Sequence, residues 1–222
     1  MRELYIIGAG GFGRETAWLA ERINRKGQAW KIRGFIDDNE SLWGTVCGGY
    51  PVFGGLEYLQ ELNREVWCVC AVGNAAVRKK IIGRLNKADH IRFATLTDPK
   101  VDMSGRISVG EGSIICAGNI ITVDVCIGQH NIINLDCTVG HDVVLDDFVT
   151  LYPSVNVSGQ VGIGQCTEVG TGANIIQGKR IGERTVIGAG AVVINDIGND
   201  CTAVGSPARV VKYHVNEPGG KW

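Results

Sequence analysis

The chain has little surplus charge, few prolines and no long apolar segment. Its net charge of −1 over 222 residues provides no basic face, which argues against a nucleic-acid partner. No apolar run approaches the roughly 18 residues of a membrane span, and the first residues lack the apolar core and cleavage site of a signal peptide. We therefore expect a cytoplasmic protein that does not bind membranes.

Patterns typical of metal sites and disulfide frameworks are also missing. The eight cysteines form no C-x-x-C pair, and the four histidines show no i,i+4 pair and no spacing typical of zinc ligands. In a chain of this size without an export signal, cysteine is better interpreted as a small buried hydrophobic residue. We therefore expect no metal site and no disulfides.

Glycine, in contrast, is abundant. It contributes 32 of 222 residues, twice the usual share of about 7%. With five prolines and no G-x-y period, the chain is neither collagen-like nor a disordered Pro/Gly tract. The excess indicates many tight turns, because only glycine enters positive φ without a steric cost.

A glycine-rich turn follows the first apolar run, at residues 4–7. The turn, residues 8–13, satisfies G-x-G-x-x-G and precedes a helical pattern from Arg14 to Ile23. In a strand–turn–helix context these glycines permit close approach of a phosphate to the helix N-terminus, where free N–H groups favour anions. The turn predicts nucleotide binding.

Alternating strand and helix patterns continue to residue 96. A strand over Ile32–Ile36 ends in Asp37 and Asp38, whose carboxylates are placed to accept hydrogen bonds from a ribose. The following pattern predicts a helix at 56–62, a strand at 66–72, a helix at 75–85 and a strand at 91–96. The alternation favours a small, mostly parallel sheet. NAD is the obvious nucleotide, but nothing later in the chain resembles a dehydrogenase catalytic domain.

The second half of the chain is a repeat of six residues. Fifteen successive aliphatic residues occur at this spacing, here called the anchors: Val109, Ile115, Ile121, Ile127, Ile133, Val139, Leu145, Leu151, Val157, Ile163, Val169, Ile175, Ile181, Ile187 and Val193. Such a run would arise by chance about once in ten million if about a third of residues were Val, Ile or Leu. A hexapeptide repeat with an aliphatic anchor is typical of a parallel β-helix.

The repeat predicts a triangular prism in which three hexapeptides form one coil of 18 residues. Five coils would span roughly residues 103–196, with anchors inside. Glycine often follows the anchor directly, and we expect these small residues to let the chain round the corners. Residues 18 apart would stack on one another.

Five motifs occur in a fixed order along the chain: G-A-G-G-F-G at 8–13, G-F-I-D-D at 34–38, G-N-x-x-x-R at 73–78, G-H-D at 140–142 and G-S-P-A-R at 205–209. In these motifs the chain resembles the left-handed β-helix (hexapeptide-repeat) acyltransferases, specifically the bacterial sugar O- and N-acetyltransferases. The resemblance implies an α/β, Rossmann-like domain over 1–96 that binds a nucleotide sugar. It further implies a left-handed β-helix with a C-terminal cap over 97–214, and a tail over 215–222.

His141 is the candidate general base. It follows the anchor Val139 by two residues, which places it at a corner of the prism, and imidazole titrates near neutrality. The resemblance implies that Asp142 is the acidic neighbour of this base. It also implies that the backbone N–H of Gly159, one coil further along, donates to the thioester carbonyl.

The resemblance also implies the residues that bind the two substrates. The acetyl-CoA positions are Thr150, Gly159, Thr171 and Ala189, and the nucleotide-sugar positions are Gly10, Gly11, Phe12, Gly13, Asp37, Asp38 and Gly54. Two positions depart from the family pattern. Thr150 stands where members often have a histidine that contacts the acetyl group, and Phe12 stands where many have a histidine in the glycine-rich turn.

The predicted function is transfer of acetyl from acetyl-CoA to the amino group of a nucleotide-linked amino sugar, for surface glycan synthesis. The residues leave two alternatives: O-acetylation of a sugar hydroxyl, as in sialic acid, and an inactive nucleotide-sugar-binding protein. A β-helix carbonic anhydrase would need three histidine ligands, whereas the repeat contains only His130 and His141.

The resemblance implies a homotrimer with acetyl-CoA bound between neighbouring prisms. The residue before each anchor should point outward, because side chains alternate along a strand. Several of these residues are aliphatic, among them Ile114, Ile120, Ile132 and Val144, and we expect them to face water in a single chain.

Overall fold

Residues 1–93 form a sheet flanked by helices in the computed structural model, which describes residues 1–214. The predicted tail over 215–222 lies outside the described residues. The elements of this region are β1 (Arg2–Ile7), α1 (Gly11–Asn24), β2 (Trp30–Ile36), a 3-10 turn (Glu40–Leu42), β3 (Val46–Cys47), β4 (Tyr50–Gly54), α2 (Leu56–Gln60), β5 (Val66–Cys70), α3 (Ala75–Leu85) and β6 (Ile91–Phe93).

The sheet has the strand order β3-β4-β2-β1-β5-β6, with only the β3–β4 pair antiparallel. Helix α1 covers one side of the sheet, where Leu4 and Ile6 are buried, and helices α2 and α3 cover the other, where Tyr5 and Ile7 are buried. A central strand that is buried on both sides has apolar residues at successive positions, which explains why residues 4–7 are all apolar. The predicted α/β alternation is confirmed.

The second region consists of short parallel strands. They are β7 (Leu96–Thr97), β8 (Asp102–Met103), β9 (Ser108–Val109), β10 (Ile114–Ile115), β11 (Ile120–Ile121), β12 (Cys126–Ile127), β13 (Ile132–Ile133), β14 (Thr138–Val139), β15 (Val144–Leu145), β16 (Thr150–Leu151), β17 (Asn156–Val157), β18 (Gly162–Ile163), β19 (Glu168–Val169), β20 (Asn174–Ile175), β21 (Arg180–Ile181), β22 (Val186–Ile187) and β23 (Val192–Val193). An antiparallel pair, β24 (Cys201–Val204) and β25 (Arg209–Tyr213), closes the end.

These strands stack into three faces of a prism. The first face contains β7, β10, β13, β16, β19, β22, β24 and β25; the second contains β8, β11, β14, β17, β20 and β23; the third contains β9, β12, β15, β18 and β21. We call the turn from first to second face the first corner, from second to third the second corner, and from third to first the third corner. Ile114 pairs with Ile132, which confirms coils of 18 residues. The first coil begins at Leu96 rather than near residue 103, because Leu96 already pairs with Ile114.

The anchors fill the prism as the repeat predicted. Fourteen of the fifteen are at most 3% exposed, and only Val109 in the first coil is partly buried. The third residue after an anchor adopts positive φ at every corner from Gly112 to Gly190, often without being glycine.

The glycines directly after the anchors have a different role from the predicted one. Gly140, for example, does not have positive φ; instead, a Cβ there would lie 2.6 Å from the backbone nitrogen of Gly159 in the next coil. These glycines are needed because neighbouring coils approach closely at the corners.

The N-terminal sheet region packs against the first face of the prism. Ile114 and Ile132 join the apolar cluster that includes Leu19 and Ala20 of α1, so the prediction that they face water is wrong. Ile120 and Val144 are 48% and 46% exposed, as predicted. These two lie on the second and third faces, outside the area that α1 covers.

The cysteines follow the predicted pattern with one clear exception. Five of the eight are buried, but Cys126 is exposed because it occupies the outward position before an anchor on the third face. Among residues 1–214, no three side chains are grouped as metal ligands, and no helix is long and apolar enough to cross a membrane.

Candidate active site

His141 lies at the second corner of the prism, in the turn between β14 and β15. Asp142 takes the position of positive φ in this turn (58°), which bends the chain sharply around the corner. Its carboxylate oxygen Oδ2 lies 2.8 Å from Nδ1 of His141. The imidazole side chain is 48% exposed. A carboxylate on Nδ1 fixes the ring orientation and tautomer, so that Nε2 can accept a proton.

Gly159 lies on the same corner, one coil beyond His141. A Cβ at Gly159 would lie directly against Nε2 and Cε1 of the imidazole, so only glycine leaves this space open. Its backbone N–H makes no hydrogen bond within residues 1–214. A proton acceptor therefore lies beside an available N–H donor, which is the pair of groups that acyl transfer requires.

The other predicted acetyl-CoA residues lie elsewhere on the chain. Thr171 and Ala189 stack on the first corner, where the N–H of Gly190 donates to the carbonyl of Thr171 at 2.8 Å. The second face of the prism separates this corner from His141. One chain therefore does not bring all the predicted residues to one place.

Thr150 is not available to a ligand. Its side chain is fully buried between the prism and the N-terminal region, where Oγ1 donates to the carbonyl of Gly73 at 2.8 Å and accepts from Arg78 at 2.9 Å. Thr150 was predicted to bind acetyl-CoA, but the structure does not present its side chain to a ligand, because the hydroxyl already donates its proton within the chain.

The predicted nucleotide-sugar residues cluster at the carboxyl edge of the sheet. Gly10 precedes α1, and a Cβ at Gly10 or Gly11 would contact nothing within 4 Å, so the first turn of the helix is open to a ligand. Gly13 has a packing role, because a Cβ there would clash with the carbonyl of Gly8. Phe12 is partly buried against the apolar cluster beneath α1.

The two aspartates after β2 differ in their environment. Oδ2 of Asp37 accepts from the N–H of Ala9 at 2.8 Å, and Oδ1 accepts from the N–H of Asn39 at 2.9 Å. Asp37 therefore holds the glycine-rich turn, whereas Asp38 has an exposed carboxylate. The N–H of Asp37 donates to the carbonyl of Gly54, which fixes the end of β4 beside them.

Sequence reasoning missed Trp43 at this edge. The indole is 44% exposed, and its Nε1 donates to the carbonyl of Asp37 at 2.7 Å. A flat aromatic ring beside the exposed Asp38 adds a surface on which a nucleobase can stack. No motif contains Trp43, and only the fold brings it to the carboxyl edge.

A groove of about 470 Å³ opens on the third face of the prism. Its lining includes Gly162, Arg180 and the carboxylates Asp146 and Asp196. Burial and the nearby carboxylates of Asp147 and Glu183 raise the pKa of Asp146. None of the predicted ligand residues lines this groove, and two carboxylates against one arginine do not match the charge of a polyphosphate.

Comparisons with known proteins cover both regions. The family described as the PglD N-terminal domain matches residues 3–85. The GDP-perosamine N-acetyltransferase of Escherichia coli O157:H7 is 29% identical over 214 residues, which covers 93% of this chain and 95% of the relative.

Solved structures match over nearly the whole chain. The acetyltransferase domain of PglB from Neisseria gonorrhoeae, in complex with acetyl coenzyme A, is 31% identical, with a TM-score of 0.85 over 95% of this chain and 99% of that one. The chain belongs to the hexapeptide-repeat family of bacterial sugar acetyltransferases. PerB from Caulobacter crescentus, in complex with CoA and GDP-perosamine, is 28% identical, with a TM-score of 0.84 over 96% of this chain and 98% of that one.

As a hexapeptide-repeat sugar acetyltransferase, the chain is an enzyme that transfers acetyl groups, and its prism is a left-handed parallel β-helix. The predicted family, fold class and enzyme class are confirmed.

Proposed function

We propose that this acetyltransferase moves the acetyl group of acetyl-CoA to the amino group of a nucleotide-linked amino sugar, with His141 as general base. The observation that carries the proposal is the corner formed by His141, Asp142 and Gly159, which provides an oriented imidazole beside an N–H donor. The full-length similarity to enzymes named for N-acetylation of GDP-perosamine supports the acceptor class.

In the proposed reaction the acceptor amine attacks the thioester carbonyl of acetyl-CoA. Nε2 of His141 takes the proton that the amine loses as the C–N bond forms, while Asp142 stabilises the imidazolium through Nδ1. The N–H of Gly159 donates to the carbonyl oxygen as negative charge develops on it. The C–S bond then breaks, the amide is released, and the CoA sulfur leaves and is protonated.

We propose that neighbouring chains of a homotrimer share each site. The predicted acetyl-CoA residues are divided between two corners of one chain: Gly159 lies on the second corner, and Thr171 and Ala189 lie on the first. If the second corner of one prism faces the first corner of the next, both sets line one groove. Cyclic threefold symmetry repeats this contact three times.

The acceptor is tested with a panel of GDP-, UDP- and dTDP-linked 4-amino sugars and acetyl-CoA, with release of the CoA thiol followed over time. Matched sugars that carry a hydroxyl in place of the amine form the control set. We expect turnover only with an amino sugar, and a product whose acetyl group resists mild alkali, because amides survive conditions that cleave esters. Turnover confined to the hydroxyl sugars would favour O-acetylation, and the absence of turnover would favour a binding protein.

A further inference from the structure

The N-terminal sheet has a crevice that the sequence motifs describe on one side only. Strand β1 lies between β2 and β5. After β1 the chain adds strands on one side of it (β2 and β4), and it then crosses to the other side to add β5 and β6. Ligands of open α/β sheets bind outside the carboxyl ends of the strands at such a point. The loops that follow β1 and β5 flank it, and a Cβ at Gly8 would lie 3.2 Å from the carbonyl oxygen of Ala71. The segment Val72–Asn74, here called the β5 loop, is thus the second wall of the crevice.

Arg78 holds the β5 loop. Its guanidinium is fully buried and donates to the loop carbonyls of Val72 at 2.6 Å and Gly73 at 2.9 Å. The same group reaches into the third corner and first face of the prism, where it donates to the carbonyl of His130 (2.8 Å), the carbonyl of Phe148 (2.9 Å) and Oγ1 of Thr150 (2.9 Å). One side chain therefore ties the β5 loop to two coils of the prism.

Within residues 1–214 the hydrogen-bond partners of Arg78 are all neutral oxygens, so no carboxylate of this part of the chain compensates the buried charge through a direct hydrogen bond. Burying a guanidinium is costly, and an apolar side chain would join two regions at lower cost. Arginine offers five donors in a rigid plane, which fix the positions of several carbonyl groups at once. This arrangement indicates that Arg78 fixes the position of the β5 loop and does not merely hold the N-terminal region against the prism.

A second set of contacts joins the prism to the end of the β5 loop. Glu168, which points outward from the first face, accepts from the N–H of Ala75 at 3.0 Å and from the hydroxyl of Tyr152 at 3.0 Å. The Tyr152 hydroxyl lies 3.4 Å from the position of a Cβ at Gly73. Burial and Glu168 raise the pKa of Tyr152 to about 12, so the hydroxyl keeps its proton and donates.

The chain also contains a second arginine that joins the two regions away from the crevice. Arg22, near the end of α1, forms a two-point ion pair with the buried Asp98 at the start of the prism. It touches neither the glycine-rich turn nor the β5 loop. Arg22 therefore provides a matched control for adhesion between the regions.

We propose that Arg78 is a positioning residue of the acceptor site, which holds the β5 loop against the sugar end of the bound nucleotide sugar. The inference rests on the proposed function, because it assumes that the acceptor occupies the crevice between the glycine-rich turn and the β5 loop. Arg78 does not touch the acceptor in this arrangement. It acts through the β5 loop, which touches the acceptor.

The test compares Arg78→Lys with Arg22→Lys in the full chain. For each variant the KM for the acceptor, the KM for acetyl-CoA, kcat and the melting temperature are measured. We expect Arg78→Lys to raise the acceptor KM about tenfold or more, while the acetyl-CoA KM stays within about twofold, because lysine cannot bridge several carbonyls. Arg22→Lys should lower the melting temperature and leave the acceptor KM unchanged.

Tyr152→Phe is a second variant, for use if Arg78→Lys does not fold. It removes only the hydroxyl that binds Glu168, and we expect the acceptor KM alone to rise, by about threefold. An acceptor KM that is unchanged in the folded variants, or that moves together with the KM for acetyl-CoA, would overturn the inference and leave the proposed function standing. A wild-type enzyme that acetylates no nucleotide amino sugar would overturn both.

Discussion

At the scale of single residues, the proposed catalysis at the second corner depends on the side chains of His141 and Asp142. The Nδ1–Oδ2 contact of 2.8 Å orients the ring but leaves it half exposed, so the substitution of His141 should not disturb the core. We expect His141→Asn to lower kcat about 10²–10⁴-fold, the usual contribution of a general base. Stopped assays at saturating acceptor, with acetyl-CoA binding measured by calorimetry as the control, test this. Turnover within threefold of the wild type would contradict the assignment.

We expect His130 to make the stability of the protein depend on pH. It is buried between Phe93 and Phe148, and burial together with Arg78 lowers its pKa to about 4, below the usual value near 6.5. The folded state therefore favours the neutral ring. The contribution of the neutral His130 ring to the free energy of unfolding is present above about pH 6.5. It is lost as the pH falls toward 4, because protonation favours the unfolded chain.

Between pH 7 and pH 5 this single group should lower the free energy of unfolding by about 2 kcal/mol. Urea unfolding at several pH values measures the loss. His130→Asn, which tolerates the positive φ of 54° at this position, should be less stable at pH 7 but should lose less between pH 7 and pH 5. An identical pH dependence in both proteins would refute the role of His130.

At the scale of the elements, two glycines of the second corner should respond differently to the same substitution. A Cβ at Gly140 meets backbone of the next coil, which cannot move aside, so we expect Gly140→Ala to cost about 1–3 kcal/mol of stability. The three atoms nearest to a Cβ at Gly159 all belong to the exposed His141 ring, which can turn away. Gly159→Ala should therefore fold normally and lower kcat about 10²-fold, since small displacements of a catalytic group are costly.

Thermal unfolding and steady-state kinetics of the two alanine variants separate these effects. Gly172→Ala is a useful reference, because its Cβ would contact nothing within 4 Å and only its positive φ of 69° opposes the change. If Gly159→Ala kept wild-type kcat, the space beside Nε2 would have no catalytic importance.

The repeat made the prism predictable from the sequence, because each hexapeptide carries its own anchor and its own turn. The contacts between the prism and the N-terminal sheet were not predictable in the same way. Ile114 and Ile132 belong to the outward pattern by spacing, yet α1 covers them. Thr150 likewise matched a ligand position by alignment of motifs, whereas its hydroxyl binds Gly73 and Arg78. Both errors arise where distant segments meet, which no local pattern records.

At the scale of the whole molecule, the division of the candidate acetyl-CoA residues between two corners predicts a shared site. We expect light scattering at micromolar concentration to give three times the mass of one chain. Ile120 and Val144 remain largely exposed in the single chain and are candidates for burial between chains. A fully active monomer would contradict both the trimer and the shared site.

Complementation tests the sharing directly. His141→Asn removes the proposed base from the second corner, and Ala189→Arg fills the first corner, so each variant alone should be inactive. In mixed trimers formed by co-expression, some sites combine an intact second corner with an intact first corner of the neighbour. Random assembly should restore about a quarter of wild-type turnover. If the mixture stayed inactive although mixed trimers form, each site would lie within one chain.

Because every third strand returns to the same face, the prism tolerates changes of length only in whole coils. Insertion of 18 residues beyond the His141 corner would move the C-terminal cap along the axis by about 4.8 Å, the spacing between neighbouring strands, and would leave every face in phase. Insertion of a single hexapeptide would instead rotate all later faces by one third of a turn. The distance from the His141 corner to the cap can therefore change in steps of one coil without a change in the geometry of that corner.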